Sequence, residues 1–394
     1  MKEIAESLRI NGERVHRDRT LAVHNPYTRQ RIGHVPKAQV EDVRRAFEAA
    51  ANYRPRLTRY ERSNILRRAA EVVVRETERI SDLITQESGL CKKDSVYEAG
   101  RVRDVLLFGA DAVLHDDGQI FSCDITPHGR QRRVYTQRDP LLGVISAITP
   151  FNHPMNQVAH KIVPAVATNN RMVLKPSEKV PLSALLFADI LYEAGLPPPM
   201  FQVVTGDPAE IATELLTNEH IDLVTFTGGV RIGKHIASIV GYRRMVLELG
   251  GNDPLIVMDD ADLEEASSLA VSGSYKNSGQ RCTAVKRMLV HASVADEFVQ
   301  RLVDKTRAWR HGNPADPAVD MGTVIDEQAA SLFETRVLEA VSQGAQLLCG
   351  NEREGALYAP TVLDHVRPDM TLVHEETFGP VSRSEEHTSE LQSH

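Results

Sequence analysis

Cysteine is scarce in this chain, and so are long apolar runs and any excess of basic residues. The four cysteines among 394 residues lie at wide, irregular intervals, which fits neither a disulfide framework nor a zinc cluster. No apolar run approaches the roughly 18 residues that cross a membrane, and the charged N-terminus lacks the apolar core of a secretory signal. A net charge of −8 argues against nucleic acid or an anionic membrane as partner. We therefore expect a soluble, metal-free protein of a reducing cytoplasm.

What is present is a globular composition with a clear change of pattern along the chain. Hydrophobic residues make up 42% and charged residues 25%, and at about 150 residues per domain the length predicts two or three domains. Residues 38–112 carry apolar side chains at intervals of three and four, which indicates helices. Residues 119–139 predict a hairpin around the polar turn TPHGRQ. Beyond Leu141 strands and helices alternate, which predicts an α/β fold with a doubly wound parallel sheet.

The end of the chain has a different character. The segment RSEEHTSELQSH, Arg383 to His394, holds one apolar residue and follows EETFGPV, a run that should lead into a strand. The peptide resembles the conceptual translation of a sequencing adapter, although a natural polar tail is an alternative. We expect residues 383–394 to be non-native and the gene product to be truncated near Ser382.

Cys282 lies in SGQRCTAVKR, where its neighbours are small and Arg281 adds positive charge. A turn of small residues beside a cation is what a nucleophilic thiol requires. A cysteine considered alone is more often a small buried hydrophobe, and this is our interpretation of Cys91, Cys123 and Cys349.

Two polar side chains follow strand-like runs. Glu248 ends RRMVLE and precedes a Gly-Gly pair, and Asn152 lies in TPFNHP after GVISAITPF. At the carboxyl end of a parallel strand, a carboxylate can act as a general base and an amide can donate to a developing oxyanion. A solvated strand-end glutamate and a turn-forming asparagine are the simpler alternatives for each residue alone.

Two more motifs favour a nucleotide. Gly228 and Gly233 in FTGGVRIG close a strand and open a helix, where backbone amides and the helix dipole can approach a phosphate. The spacing is not G-x-G-x-x-G, so a plain tight turn remains an alternative. Lys175 in LKPSE ends a strand with Glu178 three residues later, where a cation can reach a ribose or a phosphate. A solvated Lys and Glu pair is the alternative there.

Together these motifs resemble one family. TPFNHP, LKPSE, FTGGVRIG, ELGGNDP, GQRC and EETFGP occur in the order typical of the NAD(P)-dependent aldehyde dehydrogenase superfamily, over nearly all of residues 1–382. The resemblance implies a Rossmann-like parallel-sheet cofactor domain, a second α/β catalytic domain and a small β oligomerisation hairpin. These would span residues 1–118 with 142–249, residues 250–382 (incomplete) and residues 119–141, respectively. It also implies a homodimer or homotetramer for the parent protein.

The resemblance also assigns roles to residues. Cys282 would attack the aldehyde, Asn152 would hold the oxyanion, and Glu248 would activate the water that hydrolyses the thioester. The implied cofactor residues are Lys175 and Glu178 at the adenosine ribose, Gly228, Gly229 and Gly233 along the pyrophosphate, and Glu376 and Phe378 at the nicotinamide ribose. A carboxylate at position 178 repels a 2′-phosphate, so NAD is expected in preference to NADP. Gly229 departs from the serine common in the family.

The substrate is expected to be a small anionic aldehyde. Arg281 precedes the nucleophile, and Arg101 and Arg103 lie on a helix that borders the substrate tunnel in this family; guanidinium groups suit phosphonate, phosphate or carboxylate. A solvated helix face is the alternative for Arg101 and Arg103. The other substrate-binding residues expected are His153, beside the oxyanion donor, and Thr283.

GQRCTAVKR resembles the branch of non-phosphorylating glyceraldehyde-3-phosphate dehydrogenases. TPFNHPMNQVAHKIVPA looks closer to phosphonoacetaldehyde dehydrogenase. We therefore expect NAD-dependent oxidation of phosphonoacetaldehyde to phosphonoacetate. Glyceraldehyde 3-phosphate, lactaldehyde and succinate semialdehyde are alternative substrates, and Glu248 disfavours a coenzyme-A-acylating reaction. An inactive, truncated nucleotide-binding fragment is the alternative of another class.

Overall fold

The structure, a computed structural model, describes residues 3–115, 118–137 and 143–387. Its N-terminal part begins with five short strands, which the helical and βαβ patterns did not indicate: β1 (Ile4–Ala5), β2 (Leu8–Ile10), β3 (Glu13–Val15), β4 (Thr20–His24) and β5 (Arg31–Pro36). Four helices follow over the stretch where periodicity predicts them: α1 (Val40–Asn52), α2 (Arg59–Arg75), α3 (Thr77–Ser88) and α4 (Lys92–Ala112).

Local sequence explains where these helices start. Thr58 precedes α2, and its side chain accepts a hydrogen bond from the Glu61 backbone N–H while the Glu61 carboxylate accepts from the Thr58 N–H. This reciprocal capping box satisfies two backbone donors that a helix start leaves free. At the other end of α3, Gly89 adopts a positive φ of 76° and terminates the helix.

Residues 118–137 form a separate antiparallel pair. Strand β6 (Gly118–Ser122) pairs with β7 (Arg133–Gln137), with Ile120 opposite Tyr135. Every residue of both strands is exposed. Among the described residues, this pair shares no sheet with the rest of the chain.

The predicted parallel sheet follows. Its elements are β8 (Val144–Ile148), α5 (Asn156–Ala167), β9 (Arg171–Lys175), α6 (Pro181–Glu193), β10 (Phe201–Val203), α7 (Pro208–Thr217), β11 (Ile221–Thr227), α8 (Val230–Val240) and β12 (Arg244–Glu248). Within the described residues the strand order is β12-β11-β8-β9-β10-β2-β3, and only the N-terminal strands β2 and β3 join antiparallel. The carboxyl ends of β8, β9, β11 and β12 therefore lie along one edge, which is where ligand-binding clefts form in parallel α/β sheets.

The C-terminal part of the chain has its own sheet. Its elements are β13 (Asp253–Val257), α9 (Leu263–Tyr275), β14 (Val285–His291), α10 (Ala295–Ala308), α11 (Glu327–Ser342), β15 (Gln346–Cys349), β16 (Arg353–Glu354), β17 (Leu357–Tyr358), β18 (Thr361–Asp364), α12 (Thr371–His374) and β19 (Val381–His387). The order is β13-β14-β19-β18-β15 over the described residues, with β19 parallel to both neighbours and β15 antiparallel at the edge. A two-domain α/β fold is thereby confirmed.

The tail boundary predicted at Arg383 falls inside β19, and residues 388–394 lie outside the described residues. Arg383 is fully buried; its Nη2 donates to Asn252 Oδ1, whereas Nε and Nη1 have no partner among the described residues. Its buried neighbour Glu385 pairs with Arg287 at 2.7 Å. Central parallel strands are normally apolar on both faces, so charged residues at these positions fit poorly. The non-native origin of the segment stays a prediction.

In the part of the chain that the structure covers, no helix combines the length and apolar character needed to span a bilayer.

Candidate active site

The turn that carries Cys282 joins α9 to β14 and is tied to the loop after β8. Asn152 is buried, and its Nδ2 donates to the carbonyl oxygen of Gln280 at 2.9 Å. In the opposite direction, Nδ2 of Asn277 donates to the carbonyl oxygen of Asn152 at 2.9 Å. These two hydrogen bonds hold the amide of Asn152 beside the turn that presents the thiol.

The Gly-Gly pair after Glu248 passes between this turn and Glu376. A Cβ on Gly251 would lie 2.5 Å from the carbonyl oxygen of Cys282, and one on Gly250 would lie 2.0 Å from a carboxylate oxygen of Glu376. A side chain at 251 would clash with backbone, and one at 250 would displace the Glu376 carboxylate, so the two glycines permit the close approach. The Gly251 N–H also donates to Glu376 Oε1 at 3.3 Å.

A cavity of about 240 Å³ lies where these segments meet. Its lining includes Gly250 and six of the predicted site residues: Asn152, Gly228, Gly229, Cys282, Glu376 and Phe378. Residues that are distant in sequence are therefore brought to one site. Phe378 packs edge-to-face against Phe151 at a ring-centroid distance of 5.9 Å and forms part of the wall.

The electrostatics of Cys282 differ from what the sequence indicated. Burial raises the pKa of its thiol, and the carboxylates of Asp253 and Glu248 raise it further, while the backbone N–H groups of Cys282 and Thr283 lower it. The Arg281 guanidinium donates to the carbonyl oxygen of Gly273 and interacts electrostatically with Cys282. Removal of the thiol proton therefore needs a base, and Glu248 is near enough to act on the thiol electrostatically.

Glu248 has a basic neighbour that the sequence analysis did not single out. Buried Lys161 on α5 donates to the hydroxyls of Thr225 and Thr227, each at 2.9 Å. Burial lowers the pKa of Lys161 to about 8, and the Glu248 carboxylate acts in the opposite direction. The signal in the sequence was a lysine within the otherwise apolar face of a helix.

Helix N-termini at this sheet edge are not equivalent. Glu98 accepts hydrogen bonds from the N–H groups of Met155 and Asn156 at the start of α5, and Glu87 does the same for Leu182 and Ser183 at the start of α6. By contrast, no side chain of the described residues caps α8, which begins after Gly229. The exposed amides of α8 are thus the ones available to an anionic group such as a pyrophosphate.

A groove of about 900 Å³ continues from the cavity towards β9. It shares Phe151, Glu376 and Phe378 with the cavity and reaches Glu178, whose carboxylate lies 2.8 Å from Lys175 Nζ. Although burial opposes it, the Lys175 ammonium holds the pKa of Glu178 below its ordinary value. An ionised acceptor at the groove's end suits ribose hydroxyls and disfavours a phosphate.

Of the predicted substrate residues, Arg281 and Thr283 flank the nucleophile, whereas Arg101 lies on α4 and His153 lies in the loop after β8. Arg281 is half-buried, forms no ion pair within the described residues, and has a buried Nε without a hydrogen-bond partner there. Arg101 is more exposed, 3.4 Å from Asp104, and His153 lies 3.7 Å from Glu98. Thr283 is exposed beside the nucleophile. Arg103 is also exposed and lies 3.7 Å from Asp104, which fits the solvated alternative.

Basic side chains also lie around His160, on α5 near this region. Burial lowers the pKa of His160 on α5, and the charges of Arg101 and His153 lower it further. Asp94 and Arg101 lie seven residues apart on α4, on the same helical stripe. Asp94 accepts a hydrogen bond from the Asn277 N–H at 2.8 Å and acts electrostatically on Arg281. The Asp94 end of α4 therefore contacts the nucleophile turn, and Arg101 lies two helical turns further along the helix.

Comparison with known proteins decides the family. Residues 14–387 match the model of the Aldehyde dehydrogenase family. The chain belongs to this family. As a member it is an oxidoreductase that acts on aldehydes, and the match extends into β19.

Individual relatives agree with this assignment. The aldehyde dehydrogenase described here is 38% identical to the 3-sulfolactaldehyde dehydrogenase of Priestia aryabhattai over 95% of this chain and 78% of that one. It is 34% identical to the sulfoacetaldehyde dehydrogenase of Neptuniibacter caesariensis over 92% of this chain and 80% of the relative. The NADP-dependent glyceraldehyde-3-phosphate dehydrogenase of Bacillus halodurans C-125, solved with NADP, superposes with a TM-score of 0.93 at 36% identity and covers 98% of this chain and 82% of its own.

The aldehyde dehydrogenase contains a second buried lysine that sequence reasoning passed over. Lys286 lies on β14, where Lys286, Met288 and Val290 alternate with less buried residues and point inward. This two-residue alternation was the available signal. No cluster of three or more candidate metal ligands occurs in residues 3–115, 118–137 and 143–387.

Proposed function

We propose that this aldehyde dehydrogenase catalyses the NAD-dependent oxidation of a small anionic aldehyde, with phosphonoacetaldehyde as the first candidate substrate. The observation that carries this proposal is Arg281, one residue before the nucleophile. Its half-buried guanidinium forms no ion pair in the described part of the chain, and its buried Nε has no hydrogen-bond partner there. A buried N–H without an acceptor is costly, so an anionic group of the substrate would satisfy it.

The first half of the proposed reaction belongs to Cys282 and Asn152. The thiol loses its proton to a base and its sulfur attacks the aldehyde carbon, which converts the carbonyl oxygen into an oxyanion. Asn152 Nδ2 has a second N–H besides the one given to Gln280. Together with the backbone N–H groups that face the thiol, it would stabilise this oxyanion.

The second half belongs to Glu248. After hydride removal the acyl group is a thioester on Cys282, and water must attack it. Glu248 would take the proton of that water, which releases the carboxylic acid and restores the thiol. Lys161 on α5 lies close enough to Glu248 to interact electrostatically with its carboxylate.

The residues present fit a dinucleotide. Lys175 and Glu178 would hold the adenosine ribose, the N-terminus of α8 at Gly228, Gly229 and Gly233 would meet the pyrophosphate, and Glu376 with Phe378 would fix the nicotinamide end. When bound, NAD supplies the hydride acceptor. The Glu178 carboxylate at the groove's end supports NAD over NADP, since a 2′-phosphate would lie against a negative charge.

A sulfonated aldehyde is the second candidate substrate. The relatives at 38% and 34% identity act, by their names, on 3-sulfolactaldehyde and sulfoacetaldehyde. Sulfonate and phosphonate are both tetrahedral anions with three acceptor oxygens, so the same guanidinium serves either. The two candidates differ in charge, because a phosphonate carries up to two negative charges and a sulfonate one.

The deciding experiment measures NADH formation with phosphonoacetaldehyde, sulfoacetaldehyde, glyceraldehyde 3-phosphate and neutral propanal, for the wild type and Arg281→Ala. We expect KM for the preferred anionic aldehyde to rise by about 10–100-fold in the variant, with KM for propanal little changed. Equal changes for anionic and neutral aldehydes would refute the anion site. NAD binding without turnover of any aldehyde would favour the nucleotide-binding fragment.

The β6–β7 pair is the surface through which we propose that copies of this chain associate. Its exposed apolar side chains, which include Ile120, Phe121 and Tyr135, support a role in homodimer or homotetramer formation. Light scattering of the wild type and of a Phe121→Glu variant tests this. A monomeric wild type, or a variant with unchanged mass, would contradict it.

A further inference from the structure

Lys286 connects two segments of the site through its side chain. It is 1% exposed, and its Nζ donates to the carbonyl oxygen of Gly279 at 2.8 Å and to that of Gly379 at 2.6 Å. Gly279 belongs to the turn that presents Cys282. Gly379 follows Phe378 in the loop that contains Glu376. One ammonium group therefore bridges the nucleophile turn and the loop assigned to the nicotinamide ribose.

The two segments are in direct backbone contact at the bridge. Gly279 has a positive φ of 66°, and a Cβ there would lie 2.4 Å from the carbonyl oxygen of Gly379. On the far side, a Cβ on Gly379 would lie 2.2 Å from the Phe333 ring. Contact this close leaves no room for water between the segments, so Lys286 is the donor that satisfies both carbonyl groups from within the core.

We propose that Lys286 is a positioning residue that couples the Cys282 turn to the Glu376 loop, so that cofactor binding at one sets the geometry of the other. The inference rests on the proposed function, which places NAD against Glu376 and Phe378. Lys286 itself touches neither reacting atom. It acts through the carbonyl groups of Gly279 and Gly379.

The bridge depends on N–H groups and not on charge. Burial lowers the pKa of Lys286 to about 7; Arg383 on β19 and Arg281 on the nucleophile turn lower it further, while Glu376 in the bridged loop raises it. An uncharged amine still has two N–H groups, which is the number of carbonyl groups it serves. Coupling should therefore persist on both sides of pH 7.

The test is Lys286→Met, which keeps an unbranched apolar stem one atom shorter than that of lysine and removes every donor. The readout is the rate at which iodoacetamide alkylates Cys282, followed by mass spectrometry of its peptide, with and without saturating NAD. In the wild type we expect NAD to change this rate by about tenfold. In the variant the ratio should approach one, and kcat should fall while KM for the aldehyde changes little.

Lys305→Met is the matched control. Lys305 lies on α10 and pairs with Glu264 at the surface, away from both segments, so its variant should retain the NAD effect. Lys286→Gln keeps an N–H₂ group on a shorter chain and is expected to show an intermediate ratio. It is the second variant to measure if Lys286→Met does not fold. A wild-type ratio in Lys286→Met or Lys286→Gln, with only the melting temperature lowered, would overturn the coupling.

Failure of the coupling and failure of the proposed function are distinguishable. If Cys282→Ser still oxidises aldehydes, the proposed nucleophile is wrong. Suppose that Cys282→Ser oxidises no aldehyde, while Lys286→Met matches the wild type both in turnover and in the alkylation of Cys282 with and without NAD. The proposed function then stands and the positioning role is wrong. At pH 6 and pH 8 the wild-type NAD effect should be equal, and a loss at pH 8 would refute the donor-based bridge.

Discussion

The amide of Asn152 donates a hydrogen bond to the carbonyl oxygen of Gln280, two residues before Cys282. The proposed oxyanion donor is thus anchored to the same turn that presents the nucleophile. Its position does not depend on a bound cofactor, because one N–H of the amide is already engaged and fixes the orientation of the other.

Asn152→Ala should lower the rate of hydride transfer by about 10²–10³-fold, the usual loss when one oxyanion donor is removed. Single-turnover NADH formation measures this. Asn218→Ala, at the distant end of α7 where the side chain contacts Glu214, should leave the rate unchanged. A rate within twofold of wild type for Asn152→Ala would remove the amide from the mechanism.

Glu248→Gln should separate the two halves of the reaction. The thioester would form in one rapid burst of NADH and then accumulate, because no carboxylate remains to activate water. Stopped-flow absorbance measures burst and steady state together. Glu264→Gln, an exposed surface change on α9, is the control. Steady-state turnover equal to wild type would contradict the role of Glu248 as base.

Glu87 should make folding stability depend on pH. Burial raises the pKa of its carboxyl to about 7, although the N–H groups of Leu182 and Ser183 oppose this. The folded state holds this proton at pH values where the unfolded state, near 4.5, has lost it. The contribution to stability is therefore complete below about pH 4.5, falls as pH rises to about 7, and is constant above that.

Urea unfolding at intervals between pH 4.5 and pH 8 tests this. The difference between wild type and Glu87→Gln should change by up to about 1.4 kcal/mol per pH unit within that window. Glu76→Gln should not show this change, because the hydrogen bond from Arg75 lowers the pKa of Glu76 and keeps its titration below this pH range. A constant wild-type minus Glu87→Gln difference across the range would show that Glu87 stays ionised.

Arg383→Val should stabilise the fold. Arg383 lies at a central position of β19 with two guanidinium nitrogens that no described residue satisfies, and burial lowers its pKa to about 10. Replacing such a charge with an apolar, β-branched side chain should raise the free energy of unfolding by about 1–4 kcal/mol. Denaturant midpoints check it, with exposed Arg301→Val as control. A lower midpoint for Arg383→Val would mean that the arginine fits its place.

The sequence by itself determined the family and the order of the elements. Periodicity located the helices of residues 38–112 and the alternating α/β region because these signals are local and repeat along the chain. The ordered motifs around Asn152, Glu248 and Cys282 indicated the chemistry. The short strands between residues 4 and 36 gave no such signal, since two to six residues carry too little periodicity.

Only the tertiary structure decided how the site residues relate. It joined the Arg281 guanidinium to the carbonyl oxygen of Gly273 by a hydrogen bond, and it brought Lys161 within electrostatic reach of Glu248. It also brought Lys286 to Gly379, 93 residues further along the chain. Such contacts depend on the packing of segments that are distant in sequence. Burial, which shifts the pKa of Cys282, Lys161 and Glu87, exists only once that packing has formed.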